Sequence, residues 1–214
     1  MLGRAPVVGW VLLMLPFAAH GQASNQDRSF RVGIAASVLS TRLKGSDLPN
    51  SDSRISFSTG VMAERALSTS KGFRTGVLFS RRGGRNTNSG FDYDFEIDYI
   101  EVPAAFTFQP ADPKRFAPYA LAGAQLGIRV GCSLGITGPG TSDTQDCDRM
   151  IPPPELSSTD LALLAGGGLR FSVGRALVRT EVGYAHGLQQ WEKDIKAFNR
   201  GISFGVVAML PMRN

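Results

Sequence analysis

The chain has 214 residues, 43% hydrophobic and only 19% charged, with 25 glycines, 12 prolines, two cysteines and a formal net charge of +5. That length suits one domain, and the apolar content excludes a disordered chain. Two cysteines exclude a disulfide-dense scaffold or a four-cysteine zinc site, and no internal apolar run approaches the roughly 18 residues of a membrane-spanning helix.

The N-terminus reads as a cleaved export signal over residues 1–23. Arg4 precedes an apolar run from Ala5 to Ala19, and small residues offer cleavage after Gly21 or Ala23. An uncleaved membrane anchor is the alternative. No cysteine marks the junction for a lipid anchor. Losing Arg4 lowers the net charge to +4, and the exported chain enters a compartment that permits disulfides.

From there the sequence predicts eight strands, at about 30–40, 55–66, 71–82, 95–108, 116–131, 159–172, 175–187 and 198–210. Each is about 10–15 residues long, against about 5–6 for an average soluble strand and about 9–11 for one that crosses a membrane. Alternation is strict. Val32, Ile34, Ala36 and Val38 share one face of the first strand, with Gly33, Ala35 and Ser37 on the other. In the fifth, Ala120, Ala122, Ala124, Leu126, Ile128 and Val130 oppose Tyr119, Gly123, Gln125, Gly127 and Arg129. In the last, Ile202, Phe204, Val206, Ala208 and Leu210 oppose Ser203 and Gly205. A soluble sandwich would carry many Lys and Glu on its polar face. Here that face is glycine-rich, as in a narrow barrel with its apolar side toward lipid.

The expected fold class is therefore all-β: an eight-stranded antiparallel up-and-down transmembrane barrel over residues 24–214. Odd connections come out long, at about 10–27 residues, and even ones short, at about 2–7. Outer-membrane barrels have this asymmetry between extracellular loops and periplasmic turns. Phe30, Phe73, Phe108, Phe116 and Phe171 all fall at the short-turn ends, where an aromatic girdle at the periplasmic interface is expected.

At this point the chain resembles the outer membrane protein β-barrel domain family, the small eight-stranded "porin family" barrels of Gram-negative-type bacteria. Asp98-Tyr99-Ile100-Glu101-Val102-Pro103 is similar to the family's YLEIP fourth strand, and Phe116-Ala117-Pro118-Tyr119-Ala120-Leu121-Ala122-Gly123 to its RPYLLAG fifth strand. Weaker likenesses are Leu78–Gly83, Tyr184–Leu188 and Asn199-Arg200. The resemblance implies an outer-membrane barrel, frequently without an assigned activity. Two departures stand out. Gly76 occupies a position that is usually acidic, and the chain ends in Leu210-Pro211-Met212-Arg213-Asn214 where the barrel assembly machinery usually meets a terminal aromatic.

Six charges share the inward face: Glu64, Glu101 and Glu181 with Arg129, Arg170 and Arg179. An eight-stranded interior is nearly filled by side chains, so charges there need partners. The leading reading is a lumen plugged by an ion-pair network, with a gated narrow pore and catalysis as alternatives. Cys132 and Cys147 are expected to form a disulfide in the longest loop, residues 131–158; no histidine lies near them to favour a metal. His186 sits on the lipid-facing parity at the rim and Glu181 on the other face, so no hydrolytic triad assembles around it. Gly166-Gly167-Gly168 lies within a strand, not before a helix, and suits curvature more than a phosphate loop.

The basic tract Arg81-Arg82-Gly83-Gly84-Arg85 is placed in a loop, solvated or in contact with lipopolysaccharide phosphates. Asp94, Glu96 and Asp98 fit an extended hairpin above the membrane. The functional expectation is a structural or surface-interaction barrel, not an enzyme. It would work as a monomer among outer-membrane lipid and lipopolysaccharide, with no cofactor, metal or nucleic acid. A passive pore, a lipid-modifying enzyme and a soluble lipocalin-like barrel remain as alternatives; the last requires an apolar interior and a polar exterior.

Overall fold

A computed structural model of the chain describes residues 30–46, 51–88, 90–111, 116–150, 156–192 and 195–212. The expected signal lies outside the described residues. Among these, nine antiparallel strands form in order: β1 (Phe30–Gly45), β2 (Arg54–Ala66), β3 (Lys71–Asn88), β4 (Phe91–Phe108), β5 (Phe116–Gly138), β6 (Thr141–Asp146), β7 (Thr159–Val173), β8 (Ala176–Glu192) and β9 (Ile195–Pro211). A 3-10 turn spans Cys147–Arg149. Neighbours in sequence pair, except that β5 passes over β6 to pair with β7, and β9 returns to β1. Eight strands thus close a ring. β6 stands outside it, paired with residues 133–138 of β5.

Closure leaves no unpaired edge inside the ring, which is what hydrocarbon demands of a backbone that cannot bond to water. Following directly opposed residues round the barrel leads from Arg31 through Glu64, Arg74, Ala105, Gly123, Leu164, Ala185 and Gly201 back to β1 at Thr41. One circuit climbs from position 31 to position 41, and such a stagger goes with strands tilted by about 40°.

The faces follow the alternation in the sequence. Ile34 is 67% exposed, Ile55 68% and Phe204 63%, all on the outside. Residues of the inward parity, such as Met62, Glu101, Arg179 and Met209, are nearly inaccessible. An apolar exterior over a charged interior is the inverse of a lipocalin, so that alternative falls. The ladder between β3 and β4 is interrupted opposite Gly76 and Val77, where β4 contributes Val102 and Pro103. Proline has no N–H to offer. The β7–β8 turn is two residues long, and Gly174 takes a positive φ of 57° there, as a tight hairpin requires.

Two expectations need correction. The strands run well past their expected upper ends: β3 reaches Asn88 and β4 begins at Phe91, where a loop of about 12 residues was expected. Residues 81–85 are therefore strand, not loop. Likewise residues 131–158 include the top of β5 and all of β6. Above the bilayer both faces of a strand meet water or protein, so nothing forces the alternation by which the lower halves are recognised.

Candidate lumen charge site

Inward parity on eight tilted strands brings distant charges to two levels of the lumen. The lower level holds Glu64, Arg74, Tyr119, Arg179 and Glu181. Arg179 reaches from β8 to Glu64 on β2 with two nitrogens, Nη2 lying 2.7 Å from Oε1 and Nη1 bonding Oε2. Arg74 crosses from β3 to Glu181 on β8, with nitrogens 2.8 and 2.9 Å from the two carboxylate oxygens. β3 and β8 are diametrically opposed in the ring, so this pair spans the full bore. Tyr119 donates to Glu181 Oε2 at 2.6 Å, and the Arg179 guanidinium stacks over its ring at 5.0 Å. The tyrosine lies beside Gly168, whose other neighbour is Glu181. A Cβ at Gly168 would fall 1.8 Å from the Thr180 carbonyl oxygen, so the glycine run is a packing requirement of the barrel wall.

The upper level holds Arg82, Glu101, Asp160, Tyr99 and Asn199. Arg82 Nε is 2.6 Å from Glu101 Oε1, and its Nη1 is 3.7 Å from Asp160. Ser80 donates to the other Glu101 oxygen at 2.5 Å. Asn199 on β9 donates to Asp160 and to the hydroxyl of Tyr99, both at 3.3 Å. Above these groups Leu43, Ile97 and Tyr99 form an apolar cap with Phe95, Cys132 and Leu156 packed on it. Between the levels lies a cavity of about 120 Å³, bordered by Met62, Leu78, Pro103, Gln125 and Val207 and by both sets of charges.

The structure thus brings Glu64 to Arg179, and gives Glu101 and Glu181 arginine partners outside the expected set, Arg82 and Arg74. Arg170 turns toward the short β4–β5 connection, where Nη1 bonds the side chain of Gln109. Arg129 is half-buried near the upper level, beside a bulge at Asp98/Tyr99. Arg74, Arg82 and Asp160 complete the pairs but were not among the expected charges. Arg74 shares parity with Gly72, Gly76 and Leu78, a signal present in the sequence; Arg82 was hidden by the reading of its tract as a loop.

Outside the lumen, Cys132 and Cys147 are joined, with Cα atoms 5.4 Å apart. This ties the 3-10 turn after β6 to the upper part of β5. The five phenylalanines all face outward at the lower end, with Phe116 and Phe171 in tilted contact at 5.6 Å and Phe73 edge-on to Phe106 at 5.6 Å. His186 is outward, its Nδ1 3.3 Å from the Tyr184 hydroxyl. Among the described residues no group of three or more His, Cys, Asp and Glu is arranged to hold a metal ion.

Comparison with known proteins agrees with this architecture. The family model described as outer membrane protein beta-barrel domain matches residues 21–191. Neisserial surface protein A (NspA) superposes with a TM-score of 0.51 at 15% identity, covering 86% of this chain and 97% of its own. OprG from Pseudomonas aeruginosa gives 0.47 at 13% identity, covering 86% and 93%, and Ail of Yersinia pestis 0.41 at 17%, covering 84% and 98%. No curated protein sequence matches. With an eight-strand ring, an apolar outer belt and a family match over most of its length, the chain is an outer-membrane protein that belongs to the outer membrane protein beta-barrel domain family.

Proposed function

We propose that this barrel is closed along its bore and acts through its extracellular sheet, as a structural or surface-interaction protein and not as an enzyme. The observation that carries this reading is the pair of charge levels. Arg74–Glu181 and Glu64–Arg179 cross the lumen below, and Arg82 with Glu101 and Asp160 cross it above. A guanidinium paired with a carboxylate inside a low-dielectric bore resists being parted, because each partner would be left desolvated and alone. The upper halves of β3, β4 and β5, extended by β6 and tied by the disulfide, supply the surface.

On this reading the five lower phenylalanines form the periplasmic girdle. Residues 1–23 serve as the export signal, the assembly machinery inserts the barrel, and it works as a monomer among lipid and lipopolysaccharide. Single-channel recording in planar bilayers tests the plug. No unitary steps are expected from the wild type; frequent discrete openings would overturn it. The cavity between the levels favours one second reading, a narrow gated pore. In that case Arg74→Met with Glu181→Met should open measurable conductance where the wild type has gated steps. Incubation with radiolabelled lipid A should return the lipid unmodified; a trimmed or transferred acyl chain would instead identify an enzyme.

A further inference from the structure

The outer face at the extracellular rim carries charge in two ways. On the β2–β4 flank it is matched: Arg81 bonds Asp98 at 2.8 Å and Glu96 at 3.0 Å, Arg85 bonds Asp94, and Arg54, of inward parity on β2, reaches Asp94 and Glu96 as well. On the β8–β9–β1 flank it is not. Arg42 on β1 stands directly opposite Arg200 on β9, and Arg200 stands directly opposite His186 on β8. Lys44 follows on the same face of β1. Side chains directly opposed across antiparallel strands have Cβ atoms about 5 Å apart, and like charges in that position repel. Among the described residues neither arginine nor Lys44 has a carboxylate partner.

Below them the face turns apolar over two rows: Ile202 is flanked by Ser40 and Tyr184, and Phe204 by Val38 and Val182. The arginine pair therefore sits where the lipid belt ends and headgroups begin.

We infer that Arg42 and Arg200 together bind a phosphate group of an outer-leaflet lipid, with His186 and Lys44 at its edges. Two guanidiniums side by side present forked donors that match phosphate oxygens. An anion between them removes the repulsion that the fold otherwise leaves in place. The apolar residues below suit the acyl chains of the same molecule, so the occupant is a phosphorylated glycolipid and not a free anion. This inference rests on the outer-membrane placement of the chain.

The test uses the full-length protein in nanodiscs of phosphatidylcholine doped with bis-phosphorylated lipid A or with its dephosphorylated counterpart. Native mass spectrometry counts the retained glycolipid. The wild type is expected to hold the phosphorylated form, and the double variant Arg42→Gln/Arg200→Gln to hold about tenfold less, the loss expected for one or two charge-assisted hydrogen bonds. Arg81→Gln, on the matched flank, should retain as much as the wild type. Arg42→Lys/Arg200→Lys keeps the charge and should keep part of the binding, which guards against a glutamine variant that fails to fold. Equal retention of dephosphorylated lipid, or equal retention by wild type and glutamine variant, overturns the site. Displacement by inorganic phosphate at low millimolar concentration, as fully as by lipid A, overturns the lipid assignment. A chain that does not enter the discs overturns the membrane placement with it.

Discussion

Arginine serves this barrel in two settings, and the difference between them is where the counter-charge comes from. In the lumen Arg179, Arg74 and Arg82 are nearly inaccessible, and each meets a carboxylate supplied by another strand. At the outer rim of β1 and β9, Arg42 and Arg200 meet none among the described residues. Inside, the only available partners are the protein's own side chains, because the bore is too narrow to supply much water. Outside, the solvent is a layer of headgroups, and the fold can leave charge for that layer to match. Buried ion pairs of this sort add little net stability as a pair, although parting one is costly.

Breaking a lumen pair should have the largest effect. Glu64→Gln leaves Arg179 buried with one carboxylate fewer and is expected to cost about 3–5 kcal/mol, read by urea unfolding of the protein refolded into detergent or bilayers. A cost under about 1 kcal/mol would mean that water enters the bore freely at that level. Glu101→Gln should cost less, about 1–3 kcal/mol, since Asp160 remains near Arg82 and Ser80 keeps an acceptor. Its unfolding midpoint should move while bilayer conductance does not. Replacing both members of a pair, as in Arg74→Met with Glu181→Met, should come within about 1 kcal/mol of the wild type or exceed it. If that double variant is as poor as either single one, the pair contributes net stability and the contrast drawn above is too sharp. At the rim the effect should be smallest. Arg81→Ala removes a half-exposed pair and should change stability by only about 0.2–1 kcal/mol, less still at high salt.

The disulfide belongs to neither setting. Cys132→Ser with Cys147→Ser should leave barrel unfolding unchanged while surface protease cuts faster within residues 139–158 of intact cells. Slow cutting in both proteins would show that β6 is held by its pairing with β5 alone.

The lower barrel was legible because lipid on one side and a crowded bore on the other impose a period of two on residues such as Val32–Val38 and Ile202–Leu210. The same parity placed Glu64, Glu101, Arg179 and Glu181 inside. It could not name their partners. Parity says which face a residue occupies, whereas the partner across the bore depends on the stagger of the closed ring, which returns Arg31 to Thr41. The upper strands were read as loops because Arg81-Arg82-Gly83-Gly84-Arg85 is polar throughout. Its order comes from cross-strand acids on β4 and from Glu101 in the lumen. Arg42 lay beyond the expected end of the first strand at residue 40, and 158 positions separate it from Arg200 along the chain, so only the longer β1 and the closure of β9 on it set the two side by side.

The stagger also bears on how charge is balanced between the two walls of the bore. Glu64 and Arg74 are direct neighbours across β2 and β3, and Arg179 and Glu181 lie two residues apart on one face of β8. Each wall of the bore therefore carries one acid and one arginine and is electrically neutral by itself. Across the bore the two couples pair crosswise, Glu64 with Arg179 and Arg74 with Glu181. Two neutral walls meet with no charge left over at this level, so the closed ring holds these four groups without an unpaired ion among them.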